Sequence, residues 1–255
     1  MKTIFKLLFI RAEGFNNPPF SDFSPRALKR GRMQIPIKNN IPRRTQRFDF
    51  RAGLLIILLF SPVFTVHPQN RPDALAEYRA GRFERAVQIC RDEIAENPNN
   101  LESHVVICWS LIRLNRLEEA MRYARAGRAI HRFDVRITQI LGEIHYYQGR
   151  NEEALQFFQE YASAAPEGAR IDQVYYFMGE IFIRQGRFRH ADIALSTAVH
   201  WMPNNAAWWV RLGFARENAR DTSGAIDAYD RALALNSQLA DAQRGIDRIR
   251  QTMTQ

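Results

Sequence analysis

From residue 67 to the C-terminus, apolar side chains recur at intervals of three and four, as in Ile137, Ile140, Leu141 and Ile144, and again in Ala154, Leu155 and Phe158. That spacing lines them along one side of an α-helix. At the C-terminal end, Leu239, Ala242, Ile246 and Ile249 keep the same interval, while Asp241, Arg244, Asp247, Arg248 and Arg250 fall on the opposite side. The pattern predicts an amphipathic helix over about 239–251. Residues 1–51 behave differently. Pro18, Pro19, Pro25, Pro36 and Pro42, set among Asn, Ser and Arg, carry no sustained period and predict a poorly ordered leader. An uncharged, mostly apolar run then extends from Ala52 to Val66.

Within the helical part a phrase repeats. It reads Gly81-Arg82-Phe83-Glu84-Arg85-Ala86, then Gly149-Arg150-Asn151-Glu152-Glu153-Ala154, then Gly186-Arg187-Phe188-Arg189-His190-Ala191, with looser copies ending at Ala120 and Ala225. The five alanines stand 34, 34, 37 and 34 residues apart. In this period the chain resembles the tetratricopeptide repeat family, whose unit is a 34-residue helix–turn–helix. The resemblance implies an all-α, right-handed solenoid of five units (67–100, 101–134, 135–168, 172–205 and 206–239) closed by the 239–251 helix. Three extra residues fall between units three and four, around Glu167–Ile171.

Each recurring residue type has a physical reason. Small residues at position 8 of the unit (Ala74, Cys108, Gly142, Gly179, Gly213) let paired helices approach closely. Position 15 (Gly81, Asn115, Gly149, Gly186, Arg220) is where the first helix ends and positive φ is needed. Pro98, Pro166 and Pro203 stop the second helix in three units. Position 27, usually small, is Glu93 in unit one and Tyr161 in unit three, which predicts less regular packing there. A stack leaves its last apolar face bare, and a terminal helix with a polar back covers it.

Charge then separates the leader from the repeats. The chain carries net +9, and residues 1–66 alone hold 12 basic and 3 acidic residues; the remainder is balanced. With no excess charge to neutralise phosphates, the folded part is not expected to bind nucleic acid. The Ala52–Val66 run, behind Arg43, Arg44, Arg47 and Arg51, suits a signal-peptide h-region; an uncleaved anchor with membrane contact through 52–66 is the competing reading. At 15 residues it is short of the about 20 a span needs. Export to a bacterial envelope, periplasmic or anchored in the inner membrane, is the corresponding expectation.

Candidate chemistry is sparse. The six histidines form no zinc-protease motif, and Cys90 and Cys108 are wrongly spaced for a metal knuckle. No phosphate-cradling glycine loop or nucleophile elbow occurs, and no residues are left over for a catalytic domain. No cofactor, metal, small-molecule substrate or catalytic residue is therefore expected. The two cysteines read as buried thiols in the seam of units one and two, with a disulfide as the alternative after export.

In the family the first helices line a concave channel, and the resemblance implies that a partner protein or peptide lies there. The matching positions offer Trp109 and Arg113 in unit two, and Gln139, Glu143, Tyr146 and Tyr147 in unit three. Unit four adds Tyr176, Glu180 and Arg184, and unit five Phe214. Rigid aromatics with a few charges suit protein recognition. The alternative role is a structural subunit of an envelope assembly (outer-membrane insertion, pilus or secretion machinery), docking through its convex face and helix ends, including Trp201 and Trp208.

Overall fold

The computed structural model describes residues 73–254; the leader, the 52–66 run and the first six residues of unit one lie outside that range. Every regular element among the described residues is an α-helix. They are α1 (Ala74–Arg79), α2 (Phe83–Glu96), α3 (Leu101–Arg113), α4 (Leu117–Ile130), α5 (Val135–Tyr147), α6 (Asn151–Ala164), α7 (Ile171–Arg184), α8 (Phe188–Trp201), α9 (Ala206–Asn218), α10 (Thr222–Leu235) and α11 (Ala240–Met253).

The helix ends follow from local chemistry. Asn100, Asp134, Asn205 and Asp221 each accept a hydrogen bond from a backbone N–H in the first turn of α3, α5, α9 and α10. Each first helix then ends on a residue of positive φ: Gly81 (75°), Asn115 (56°), Gly149 (75°), Gly186 (70°) and Arg220 (65°). The recurring turn residue thus does the same work five times, once with an arginine.

Each odd-numbered helix from α1 to α9 packs on the even-numbered one that follows and on the next odd-numbered one, whereas even-numbered helices meet each other only through long side chains, as in the Arg91–Glu119 and Arg128–Glu160 ion pairs. The odd-numbered helices consequently form the inner wall of a curved stack. Position 8 is where the two helices of a unit meet. A methyl on Gly142 would lie 2.5 Å from the Phe158 ring, and one on Gly179 2.5 Å from Leu195. The core runs as a sequence of clusters from Ala74 to Ile249 rather than around one centre.

Both position-27 exceptions are absorbed by specific contacts. Glu93 accepts a hydrogen bond from Ser103 Oγ at 2.5 Å, across the seam to α3. Tyr161 is buried and its hydroxyl accepts the backbone N–H of Arg170 at 3.2 Å, which ties down the segment between α6 and α7. Cys90 and Cys108 are unbonded, buried thiols in the cluster that joins units one and two. Helix α11 covers the last unit, its Ala242, Ile246 and Ile249 buried against Tyr229 and Ala232. None of the described helices is long and apolar enough to cross a membrane.

Candidate functional site

The inner wall carries the aromatic and charged side chains that the family resemblance assigns to it, at positions 2, 5, 9, 12 and 13 of each unit, and they lie at three depths. Arg113, Tyr147 and Arg184 are exposed; Trp109, Tyr176 and Phe214 are half-buried. Gln139, Glu143, Tyr146 and Glu180 are buried, Gln139 to 1% exposure and Glu143 to 7%. Over two of these four a side chain of the next unit is placed, Arg184 over Tyr146 and Arg211 against Glu180.

The aromatic part is continuous across units three to five. Tyr146 packs on Phe177 with ring centres 4.7 Å apart, and Tyr147 meets the same ring edge-on at 6.0 Å. Tyr176 stacks on Trp208 at 4.8 Å with the planes 12° apart. Trp208 therefore belongs to this wall, not to a separate docking end. Phe177 and Trp208 sit outside the five periodic positions and were reached only through their ring contacts. The Arg184 guanidinium lies 4.1 Å from the Tyr146 ring centre, a cation–π contact that holds a positive charge at the surface of the wall.

Ion pairs join consecutive first helices. Glu102 accepts from Arg136 Nη1 at 2.7 and 2.8 Å. Glu180 is held in a two-pronged pair by Arg211, Nε to Oε1 at 2.6 Å and Nη2 to Oε2 at 2.9 Å. Glu217 takes both prongs of Arg248 at 2.8 Å. Burial alone would lower the pKa of Arg211, but the Glu180 charge more than offsets it and keeps the guanidinium charged.

Seam three to four lacks such a rung. Burial pushes the Glu143 carboxyl above its ordinary range, against the opposing pull of Arg170, the Gln139 amide and Arg113. Gln139 Nε2 donates to Glu143 Oε1. Arg170, from the extra segment before α7, extends over the Trp109 ring with its guanidinium carbon 5.1 Å from the ring centre.

These groups suit recognition. Burial raises the pKa of Tyr146 to about 12 and that of Tyr147 and Tyr176 further still, so the wall's tyrosines stay protonated hydrogen-bonding groups at neutral pH. Among the described residues no group of three His, Cys, Asp or Glu side chains is placed to hold a metal ion.

The tetratricopeptide repeat model matches residues 106–169 and 176–240, with a gap at 170–175. A curated relative, anaphase-promoting complex subunit 3 of Schizosaccharomyces pombe, is 22% identical over 156 residues. That match takes in 59% of this chain but only 22% of the relative, so the chain spans about a fifth of that protein's length. Among solved structures, PilF of Pseudomonas aeruginosa is similar with a TM-score of 0.63 at 18% identity, covering 71% of this chain and 81% of that one. YrrB, described as a TPR protein with an unusual peptide-binding site, gives 0.58 at 16% identity, covering 65% and 84%. MamA gives 0.56 at 16% identity, covering 66% and 97%. At these identities the structural likeness concerns the fold.

Proposed function

The chain belongs to the tetratricopeptide repeat family, whose members generally serve as scaffolds for protein–protein interaction, and on that premise we propose that it binds an extended segment of a partner protein along its inner wall and performs no chemistry of its own. The observation that carries this is the unbroken aromatic surface from Tyr147 through Phe177 and Tyr176 to Trp208, rimmed by Arg113 and Arg184. Aromatic area of this kind is rigid, so little entropy is lost when a segment settles on it, and charged neighbours set its register.

Affinity should come from a few anchors, with Trp109, Tyr176 and Phe214 foremost. Exchanging Trp109 and Tyr176 together for alanine should lower partner recovery in pull-downs from the native source at least tenfold while the helical circular dichroism persists. Undiminished recovery would refute the channel reading.

We also propose that the chain is exported, or tethered in the inner membrane through residues 52–66. The support is the ordering of a basic stretch ahead of an uncharged apolar run in the sequence. N-terminal sequencing of the natural protein, with cell fractionation, tests it. A start near residues 64–68 in a soluble envelope fraction, or an intact leader in the inner membrane, is the expected result; an intact leader in the cytosol overturns it.

The second reading, docking as a subunit of an envelope assembly, draws on a different surface. Trp201 and Met202 at the end of α8 and Leu235 at the end of α10 are large apolar side chains left exposed. Site-directed cross-linking in intact cells, from probes at Trp201 and at Tyr147, distinguishes the two surfaces by which one captures the partner.

A further inference from the structure

The extra residues between units three and four build a feature that the periodic positions do not describe. Tyr161 holds the Arg170 backbone, and Gly168 is needed because a methyl there would sit 2.5 Å from the Tyr161 hydroxyl. So fixed, Arg170 turns back along the inner wall. Its Nη1 donates to Gln173 Oε1 at 2.8 Å, its guanidinium covers Trp109, and its charge acts on Tyr78 and Glu143. One side chain thereby reaches groups on α1, α3, α5 and α7.

What it reaches has the composition of a guanidinium receptor. Tyr78 and Trp109 stand with ring centres 5.8 Å apart and offer aromatic surface to a planar cation. Glu143 supplies a buried carboxylate on which the charges of Arg170 and Arg113 act, whereas Glu180 at the next seam is held by Arg211 in a two-pronged pair. Trp109 Nε1 is also buried without a hydrogen-bond partner. A carboxylate in this setting is costly to keep charged unless a cation is delivered to it.

We infer that Tyr78, Trp109 and Glu143 form a receptor for an arginine side chain of the partner segment, and that Arg170 holds the place until that arginine displaces it. The receptor lies within the proposed channel and so rests on that reading, but it specifies something further: the partner carries an arginine at this point. A lysine fits less well, because a compact ammonium cannot lie flat on the indole while donating to the carboxylate.

The test uses the full chain at pH 8 and the pentapeptide acetyl-Ala-Leu-Arg-Leu-Ala-amide, read by the NMR resonance of the Trp109 indole N–H. Arg170→Ala should bind the peptide at least tenfold more tightly than the unaltered chain. The version with citrulline, equal in shape and neutral, should leave the resonance unmoved, and adding Glu143→Gln should abolish the response. Arg170→Gln, which keeps a side chain over the indole, guards against a folding defect and should behave like Arg170→Ala. Absence of any Trp109 response in both Arg170 variants, or an equal response to citrulline, overturns the receptor. If that happens while the Trp109 and Tyr176 double exchange still cuts partner recovery, the receptor falls and the channel stands.

Discussion

Arg220 occupies a left-handed backbone position that three of the other four turns give to glycine and the fourth to asparagine. For a side chain with a Cβ this conformation costs roughly 1–2 kcal/mol. The arginine side chain gains nothing visible in return, since it is exposed and, among the described residues, forms no hydrogen bond or ion pair; only its backbone N–H is bonded, to the Glu217 carbonyl at 3.1 Å. Arg220→Gly should relieve the strain, against a loss of about 0.5–1 kcal/mol from the greater freedom of glycine in the unfolded chain. The net expectation is a stabilisation of about 0.5–1 kcal/mol. For a chain of this size that is roughly 2–4 °C in the thermal midpoint per kcal/mol, followed by circular dichroism at the helical minimum. Gly186→Arg provides the reverse experiment. Its φ is 70° and a Cβ there meets nothing within 4 Å, so backbone strain is the one penalty. The two shifts should be similar and opposite. If Arg220→Gly lowers the midpoint while Gly186→Arg leaves it unchanged, left-handed strain does not govern these turns and the account of the repeat's turn residue is wrong.

Glu180→Ala strands Arg211 on the inner wall, and with both partners part-buried it should cost about 2 kcal/mol in urea unfolding; replacing the pair by Glu180→Leu with Arg211→Met should restore most of it. Cys90 and Cys108 should resist a thiol reagent such as DTNB in the native chain and react after unfolding, because burial pushes the Cys90 thiol up to about 12 and that of Cys108 higher; fast native labelling of either would contradict the packed seam. Glu143 has a folded-state pKa above its ordinary value of 4.5, so the folded chain holds that proton more tightly and loses stability as pH rises from about the ordinary value through the folded one. Glu143→Gln should therefore exceed the unaltered chain in stability above that window and match it below, as measured by thermal melts across pH; a constant difference at every pH would exclude the titration of Glu143 as the cause.

Much of the fold was legible because the repeat writes the same physical demand several times. Gly142 and Gly179 could be read as close-approach sites since the structure offers only one way to seat Phe158 and Leu195 beneath them. The depth of the channel residues was harder. Gln139 and Glu143 are polar letters on an inner face, which reads as solvent-facing, whereas both are buried and the Gln139 amide donates to the Glu143 carboxyl. The Glu–Arg rungs were within reach, because their partners lie 31 to 34 residues apart, close to the repeat length. Arg170 was not. It sits in the one segment that breaks the period, and nothing in its neighbours announces that it turns back to Trp109.

The rungs between units also have a grammar. At the seam of units two and three the pair is formed by position 2 on both sides, Glu102 and Arg136; at units four and five it is position 9 with position 6, Glu180 and Arg211; at the end helix it is Glu217 at position 12 with Arg248. No two joints share a key. A spliced-in duplicate of the fifth unit would set its Arg211 opposite Phe214, leaving a cation without its counterpart. The array is thus ordered like a sentence: shuffling or lengthening it by copying meets mismatched ends, and growth by simple duplication is closed to it unless the joints are rewritten as well.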